Sequence, residues 1–381
     1  MAYVLMSGES WMKSKIRMGQ NFKRNGSDSG VVLIIVLIVT AILTTLVVDL
    51  IYFTQIDSEI SANTRDDIKA RYIAKSGVNV VAGAMKGTPL EELKKATSLL
   101  NNQGVESGDI WSISVPVLPV GDGNVSLTVI DERSKINLNA LVNQSSNRVD
   151  QQVKTELEEL FRVLGVDARK SDLFIASLIN WLDHPIQGAE NDQDSSGAGA
   201  DYYLGLQDPY TIKNGPLDSV DEIRMIRGMD EEFFGKIKDY VTVYPADKKV
   251  NFSTASKSVM ISALKGAAVS AIENQEDSSP EDLKDDIADR IAEGVIEARK
   301  DDPIVDRKKV NEIIKDVDPT LKIGSGIGGV VLSSGESDVF SVASSGVFGE
   351  DNPTLRTVEA VIRKGTSGQS AGIHIISWKE W

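Results

Sequence analysis

Residues 30–53 read GVVLIIVLIVTAILTTLVVDLIYF. From Val31 to Val48 eighteen residues pass without a charge, and only Thr40, Thr44 and Thr45 break the aliphatic and alanine series. Asp49 interrupts the run, and Leu50 to Phe53 carry the apolar surface one turn further. As a helix rising about 1.5 Å per residue, the stretch is roughly 27–35 Å long, the thickness of one bilayer core. Upstream, residues 1–29 hold Lys13, Lys15, Arg17, Lys23 and Arg24 against Glu9 and Asp28. That basic excess places the N-terminus in the cytoplasm and the rest of the chain outside.

Three objects share this profile: a cleaved signal peptide, a permanent anchor, and a leader followed by a membrane helix that later joins an assembly. An ordinary signal has an apolar region of roughly 7–15 residues and a small-residue cleavage site. Here the run is longer, and the charged segment DSEISANTRDDIKARYIAKSGVNVVAGAMK continues it with a helical pattern. Ile56, Ile60, Ile68, Ile73 and Val80 recur at intervals of about one or two turns. The small residues Ala70, Ala74, Gly77 and Ala82 gather on the distal half. Such spacing predicts one long helix, amphipathic beyond the membrane and thin enough for close packing.

Further along, TPLEELKKATSLL at 88–100 carries the cap, proline and early glutamates of a short helix. The stretches 111–117 and 124–130 alternate apolar and polar residues around PVGDG, which predicts a hairpin turning at Gly121 to Asn124. From about 134 to 320 helical periods dominate. They include QQVKTELEELFRVLG with Gly165 as its stop, SDLFIASLINWLDHP with Ser171 or Asp172 as its cap, and units broken at Gly228. Two segments echo each other, KINLNA at 135–140 and KVNFSTA at 249–255, each with an asparagine suited to a cap or side-chain-to-backbone turn. Three alternating segments close the chain: SDVFSVASSGVFG, TLRTVEAVIRKG and AGIHIISWKE. Two strands alone make a marginal sheet. One sheet built from both ends around an inserted helical domain, an α+β fold, is therefore the economical architecture.

The chain has 381 residues and a formal charge of −15, of which residues 1–29 contribute five basic against two acidic groups. The acidic remainder argues against nucleic acid as a partner, although the helical pairs resemble phosphate-gripping hairpins. Cysteine is absent, which excludes disulfides and thiolate chemistry, and the two histidines, His184 and His374, leave little for acid–base work. No catalytic constellation is visible. The chemical candidate is the loop DHPIQGAENDQDSSGAGADYY, where Glu190, Asp192, Asp194 and Asp201 stand among glycines. Hard oxygens at short spacing suit Ca²⁺, which takes about six to eight of them, although the spacing is not that of an EF-hand. Trp181, Tyr202 and Tyr203 bracket the loop as core packing or as a protein-binding surface. The glycines Gly324, Gly326, Gly328 and Gly329 read as a flexible link back to the sheet rather than a phosphate cradle.

Glycine before the apolar run, a helix that outlasts it and a soluble domain after it resemble the type IV pilin-like proteins. SKINLNALV, FIASLINWLD, GAEND, PYTIKNGPLDSVDEIRMIRGM, YVTVY and KVNFSTAS together resemble the type II secretion system minor pseudopilins of the general secretion pathway protein K family. The resemblance implies a type IV pilin-like fold, a long N-terminal helix on an antiparallel sheet, with a large inserted α-helical domain. It implies a prepilin-type leader at 1–30, a membrane and amphipathic helix at 31–87, and the first part of the pseudopilin domain at 88–133. The insert would run 134–325 and the completing strands 326–381. Prepilin peptidase would cut after Gly30 and leave Val31 as a methylated N-terminus. The fifth mature position would be Ile35, where most pilins carry glutamate. The leader exceeds the family's short ones, and Met6 and Met12 offer shorter starts. Calcium in the inserted domain is also implied, as is inner-membrane anchorage with a periplasmic domain. Partners would be two smaller minor pseudopilins through the N-terminal helix, with the major pseudopilin, secreted substrates and the inner-membrane assembly platform beyond them. The implied role is at the tip of the pseudopilus. The competing role is a single-pass anchored periplasmic binding or scaffold protein that enters no filament.

Overall fold

The computed structural model describes residues 28–87, 112–184, 196–245, 247–273, 283–321, 323–349, 353–365 and 372–381. They fall into two units, one ending at Thr64 and one covering Arg65–Trp381. Helix α1 (Asp28–Gly87), 60 residues long, contributes to both. Next come β1 (Ser112–Val120), β2 (Gly123–Asp131) and the two-residue strands β3 (Ile136–Asn137), β4 (Val142–Asn143) and β5 (Arg148–Val149). Helices α2 (Gln151–Val163), α3 (Ala168–Leu182), α4 (Ala200–Leu204) and α5 (Glu231–Ile237) follow. After β6 (Val241–Thr242) stand α6 (Lys257–Glu273), α7 (Asp285–Asp301), α8 (Arg307–Val317) and α9 (Gly324–Val330). The last elements are β7 (Val339–Phe348), β8 (Thr354–Gly365) and β9 (Gly372–Glu380).

In the first unit every residue from Gly30 to Phe53 is exposed. The three hydroxyls of the apolar run are spent inside the helix: Thr40 donates to Leu37 O at 3.0 Å, Thr44 to Thr40 O at 2.7 Å and Thr45 to Ala41 O at 3.0 Å. The helix surface is therefore apolar in chemistry as well as in name, as a lipid-facing surface must be.

In the second unit β1, β2, β7, β8 and β9 form one antiparallel sheet in that order. Residues 132–338 thus leave and return between neighbouring strands, and the sheet is built from both ends of the sequence. The β1–β2 turn is tighter than the predicted four residues. Val120 already pairs with Gly123, and Gly121 takes the left-handed φ of 60° that such a turn requires. Along each central strand alternate residues are buried: Val125, Leu127 and Val129 on β2, Phe340 and Val342 on β7, Val358, Ala360 and Ile362 on β8.

The helical block has its own core, into which α2 sends Leu157, Leu160 and Phe161, α3 Phe174 and Leu178, and α5 Phe233. The rings of Phe161, Phe174 and Phe233 meet edge-on or tilted with centroids 5.1–5.9 Å apart. Gly165, at φ 69°, ends α2 as expected. The predicted cap of α3 is corrected. The helix starts at Ala168, with Asp167 accepting from the amides of Arg169 and Lys170, and Ser171 is buried inside it.

Two further expectations change. Helix α6 (KSVMISALKGAAVSAIE) has no sequence-level counterpart, because it is apolar nearly all round and shows no amphipathic period. Val259, Met260, Ala263, Leu264 and Ala267 are each at most 1% exposed, so it is the central helix of the block. The glycines at 324–329 form α9 instead of a flexible link. A β-carbon at Gly326 would strike the Ala267 carbonyl, so glycine lets the two helix backbones touch. The helix expected at 88–100 lies outside the described residues.

Candidate functional site

Three places carry the features from which a role can be read: the start of α1, the seam between α1 and the sheet, and the polar joint where the helical block leaves and re-enters the sheet.

Gly30 and Val31 stand in the first turn of α1, both exposed, and nothing lies within 4 Å of where a β-carbon on Gly30 would be. Ile35 is 54% exposed among aliphatic neighbours. The fifth position of the run therefore brings no carboxylate into an apolar surface, where one would need a partner.

At the seam, Ala70, Ile73, Ala74, Gly77 and Val78 are buried at spacings of three and four, with Met85 two turns on. The apolar residues expected to form this face divide differently. Ile73 packs inward, whereas Ile68 and Val80 are 48% and 60% exposed, because the sheet contacts the small-residue stripe. Close approach is the reason. A β-carbon at Gly77 would meet Leu127 Cδ2 at 2.6 Å and overlap Ser344 Oγ, and one at Gly346 would meet Ala74 N at 2.5 Å and overlap Ala70 O. Charges flank the contact: Lys75 Nζ reaches Glu380 at 2.9 Å, and Arg356 pairs with Asp67.

The joint is built on Asp131–Glu132–Arg133, where β2 ends. Asp131 is fully buried and accepts from Arg133 N at 2.8 Å, Asn251 Nδ2 at 3.0 Å, Thr254 Oγ1 at 2.6 Å and Ser337 Oγ at 2.6 Å. Burial pushes its carboxyl above the usual range, and those four donors offset the shift only in part. Glu132 is buried too, but Lys135, Ser341 and Thr242 outweigh the desolvation and hold it below the usual value. Arg133, 7% exposed, grips Asp247 with two hydrogen bonds at 2.7 and 3.0 Å and Asp338 with one at 2.5 Å. Burial works against its charge, the two carboxylates overcome it, and the guanidinium is held more firmly protonated than usual. One side chain thus fastens the strand end to the loop after β6 and to the chain entering β7.

Sequence reasoning missed this joint, yet its signal was present in the repeated KINLNA and KVNFSTA. Asn137 Oδ1 accepts from Asn139 N at 3.0 Å, and Asn251 Oδ1 accepts from Ser253 N at 2.9 Å. The amide ends of both then cross to distant chain: Asn137 to the carbonyls of Pro245 and Asp247, Asn251 to Asp131 and Ser337. Beside the joint a cavity of about 380 Å³ opens between the sheet and the helical block. Glu132, Lys135, Asp221, Arg224, Glu359 and Lys379 line it, and Lys379 approaches Asp221 at 3.4 Å.

The expected calcium site is corrected. Among the described residues no group of three or more histidine, cysteine, aspartate and glutamate side chains is placed to hold a metal ion. Glu190, Asp192 and Asp194 lie outside the described residues. Asp201 is exposed in the first turn of α4, and Asp183, buried at the end of α3, is engaged by Asn147 Nδ2. Neither described carboxylate belongs to such a group, and a hard cation requires several converging oxygens. Of the bracketing aromatics, Trp181 and Tyr203 are core residues with ring centroids 5.4 Å apart, while Tyr202 is 37% exposed. His184 is half-buried beside Asn147, and His374 is exposed on β9.

Residues 134–246, from the joint to the segment after β6, match the family model of the type II secretion system (T2SS), protein K. The type II secretion system protein K of Pectobacterium carotovorum subsp. carotovorum is 27% identical over 157 residues, 40% of this chain and 46% of that protein. That of Klebsiella pneumoniae is 25% identical over 219 residues, 56% of this chain and 63% of the relative. That of Aeromonas hydrophila is 30% identical over 159 residues, 39% and 46% of the two chains. The matched part thus spans about half the length of these curated relatives. A chain in the crystal structure of the GspK-GspI-GspJ complex from the enterotoxigenic Escherichia coli type 2 secretion system aligns at a TM-score of 0.49 and 19% identity, covering 86% of this chain and 99% of that one. Among the described residues α1 is the one helix long and apolar enough to cross a membrane. Over residues 134–246 the chain is thus similar to type II secretion system protein K, and its α1 has the length and apolarity of a single membrane span.

Proposed function

We propose that this chain is the minor pseudopilin at the tip of the type II secretion pseudopilus, where it starts filament assembly and supports protein export across the outer membrane. It acts by assembly and not by catalysis. The observation that carries the reading is α1: a single 60-residue helix that is exposed and apolar over its first half and fastened to the sheet through small residues over its second. A helix of that kind is a handle by which one subunit packs beside others in and above the membrane. The helical block spliced between β2 and β7 supports the terminal place, because regular subunits stacked on both sides leave no room for it. Prepilin peptidase cuts after Gly30 and exposes Val31, which is then methylated. The immediate partners are two smaller minor pseudopilins, met along α1, as the GspI and GspJ chains accompany GspK in the Escherichia coli complex. The major pseudopilin and the assembly platform follow.

The test is the N-terminal mass of the membrane-extracted protein from strains with and without prepilin peptidase. A peptidase-dependent species starting at Val31, together with co-purification of the two smaller pseudopilins, is the expected result. A chain that keeps Gly30 and its leader in both strains would make it an anchored periplasmic scaffold instead.

A further inference from the structure

Glu156 lies in α2 with 1% of its surface exposed, and bare helix backbone closes over it. A β-carbon on Gly266 of α6 would stand 2.5 Å from Glu156 Cγ and 2.8 Å from its Oε1. One turn back in α2, Gln152, 2% exposed, donates from Nε2 to Glu156 Oε1 at 2.8 Å. Gly329 of α9 abuts the same amide, since a β-carbon there would lie 3.1 Å from Gln152 Oε1. That Oε1 is buried and has no hydrogen-bond partner. Glycine at 266 and 329 therefore makes room for a polar pair enclosed by three helices.

The charged groups that face the carboxyl are Lys248 and Asp150, and these are joined to each other at 2.6 Å. Helix α9 carries no ionisable residue. The two lysines of α6 are turned elsewhere: Lys257 to Asp289 and Glu293, and Lys265 to Asp285. On α2 itself Lys154 approaches Glu158 at 3.9 Å, and Arg162 meets Glu159 at 2.8 Å. A carboxylate in this seam has one amide donor and no cation of its own, which is the costly state for a buried charge. A neutral acid avoids that cost and supplies the O–H donor that the unpartnered Gln152 oxygen lacks. Burial pushes the Glu156 carboxyl up to about 8, against the weaker pull of Gln152 and Lys248.

We propose that Glu156 is a proton-operated latch in the helical block: protonated, it seals the seam between α2, α6 and α9, and its ionisation loosens that seam. The folded state holds the proton more tightly than the unfolded chain, whose glutamates titrate near about 4.3. The contribution of this group is therefore complete below that value and is lost as pH rises toward and through about 8.

The experiment uses the full chain in detergent, labelled at glutamate Cδ for NMR, with amide hydrogen exchange followed in parallel at about pH 6 and pH 9 after correction for intrinsic rates. The Glu156 resonance is expected to titrate near pH 8. Protection of residues 151–163 and 257–273 is expected to fall by about tenfold or more between the two conditions. Glu156→Gln, which keeps the shape and cannot ionise, is expected to remove that fall. A resonance titrating at about pH 4 to 5 would overturn the proposal, as would an equal loss of protection in Glu156→Gln and wild type. Should Glu156→Gln fail to fold, the wild-type resonance decides alone.

Discussion

The hydroxyl of Ser344, in the middle of β7, donates to the carbonyl of Ala74 on α1 at 2.7 Å, joining two positions 270 residues apart in sequence. The bond is fully buried and needs a helix backbone lying almost on the strand, which the glycines and alanines of the seam permit. It ties the sheet to residues 65–87 of α1 within one compact unit.

Filling the seam therefore destabilises the chain, and by unequal amounts. Gly346→Ala places its methyl against helix backbone, the Ala70 carbonyl and Ala74 N, which cannot give way. Gly77→Ala meets Ser344 Oγ, Leu127 and Val125, all side-chain atoms with some freedom to turn. Overpacking costs of about 1–3 kcal/mol are typical, and Gly346→Ala is expected at the upper end with Gly77→Ala at the lower. Denaturant unfolding of the full chain in detergent measures both, and a larger loss for Gly77→Ala would contradict the close-approach argument.

Arg133→Met removes the one cation shared by Asp247 and Asp338. The expected loss is about 3 kcal/mol, the low end for breaking a buried ion pair, because Asp247 and Asp338 keep part of their side chains in solvent. A double-mutant cycle with Asp247→Asn isolates the pair. Additive losses would mean that the bidentate contact contributes nothing to stability.

Acidification weakens the same joint. Glu132 and Asp247 are both held below their usual values, each against an opposing push from burial. Lys135, Ser341 and Thr242 lower the first, and Arg133 and the Lys249 amide lower the second. The folded state then binds these protons less tightly than the unfolded chain does. The stability they supply is present above about pH 4 and is lost as pH falls through the lower folded values. Melting curves at about pH 3 and pH 6 are expected to diverge more for wild type than for Glu132→Gln. Equal divergence would remove Glu132 from the account.

The two asparagines of the repeated motif are expected to be costly to lose for different reasons. Asn251→Leu takes a donor from the buried Asp131 carboxyl and leaves the Ser253 amide short of its acceptor. Asn137→Leu leaves the carbonyls of Pro245 and Asp247 and the Asn139 amide unsatisfied. Each loss is expected at about 1–3 kcal/mol. Only Asn251→Leu is expected to shift the pH dependence of stability, because only that side chain bonds a titrating group.

Elements whose chemistry is local were legible in the residues alone. The uncharged run of α1, the period-two strands at both ends and the amphipathic helices α2, α7 and α8 each show a pattern of their own. Helix α6 does not, because a helix surrounded by other helices has no polar face to set its period. Helix α9 reads as loop for a related reason: its glycines serve an approach to α6 that exists only after folding. The polar joint was half-legible. The repeated asparagine marked two turns, but their partners lie 86 to 120 residues away and no spacing announces them. The acidic loop was over-read, since carboxylates close in sequence need not converge, and neither the buried Asp183 nor the exposed Asp201 belongs to a metal-holding group among the described residues.

By itself the sequence determined that an apolar helix heads this chain, that the helix continues as part of a fold, and that one sheet is divided around a helical insert. Apolar length, residue period and turn chemistry are properties of neighbours along the chain, so they survive in a linear reading. The tertiary structure alone decided which side of α1 meets the sheet, which helix sits at the centre of the block, and which carboxylates are buried with partners and which, like Glu156, without a cation. Those outcomes depend on distances between residues far apart in the chain, and on the desolvation that their packing imposes.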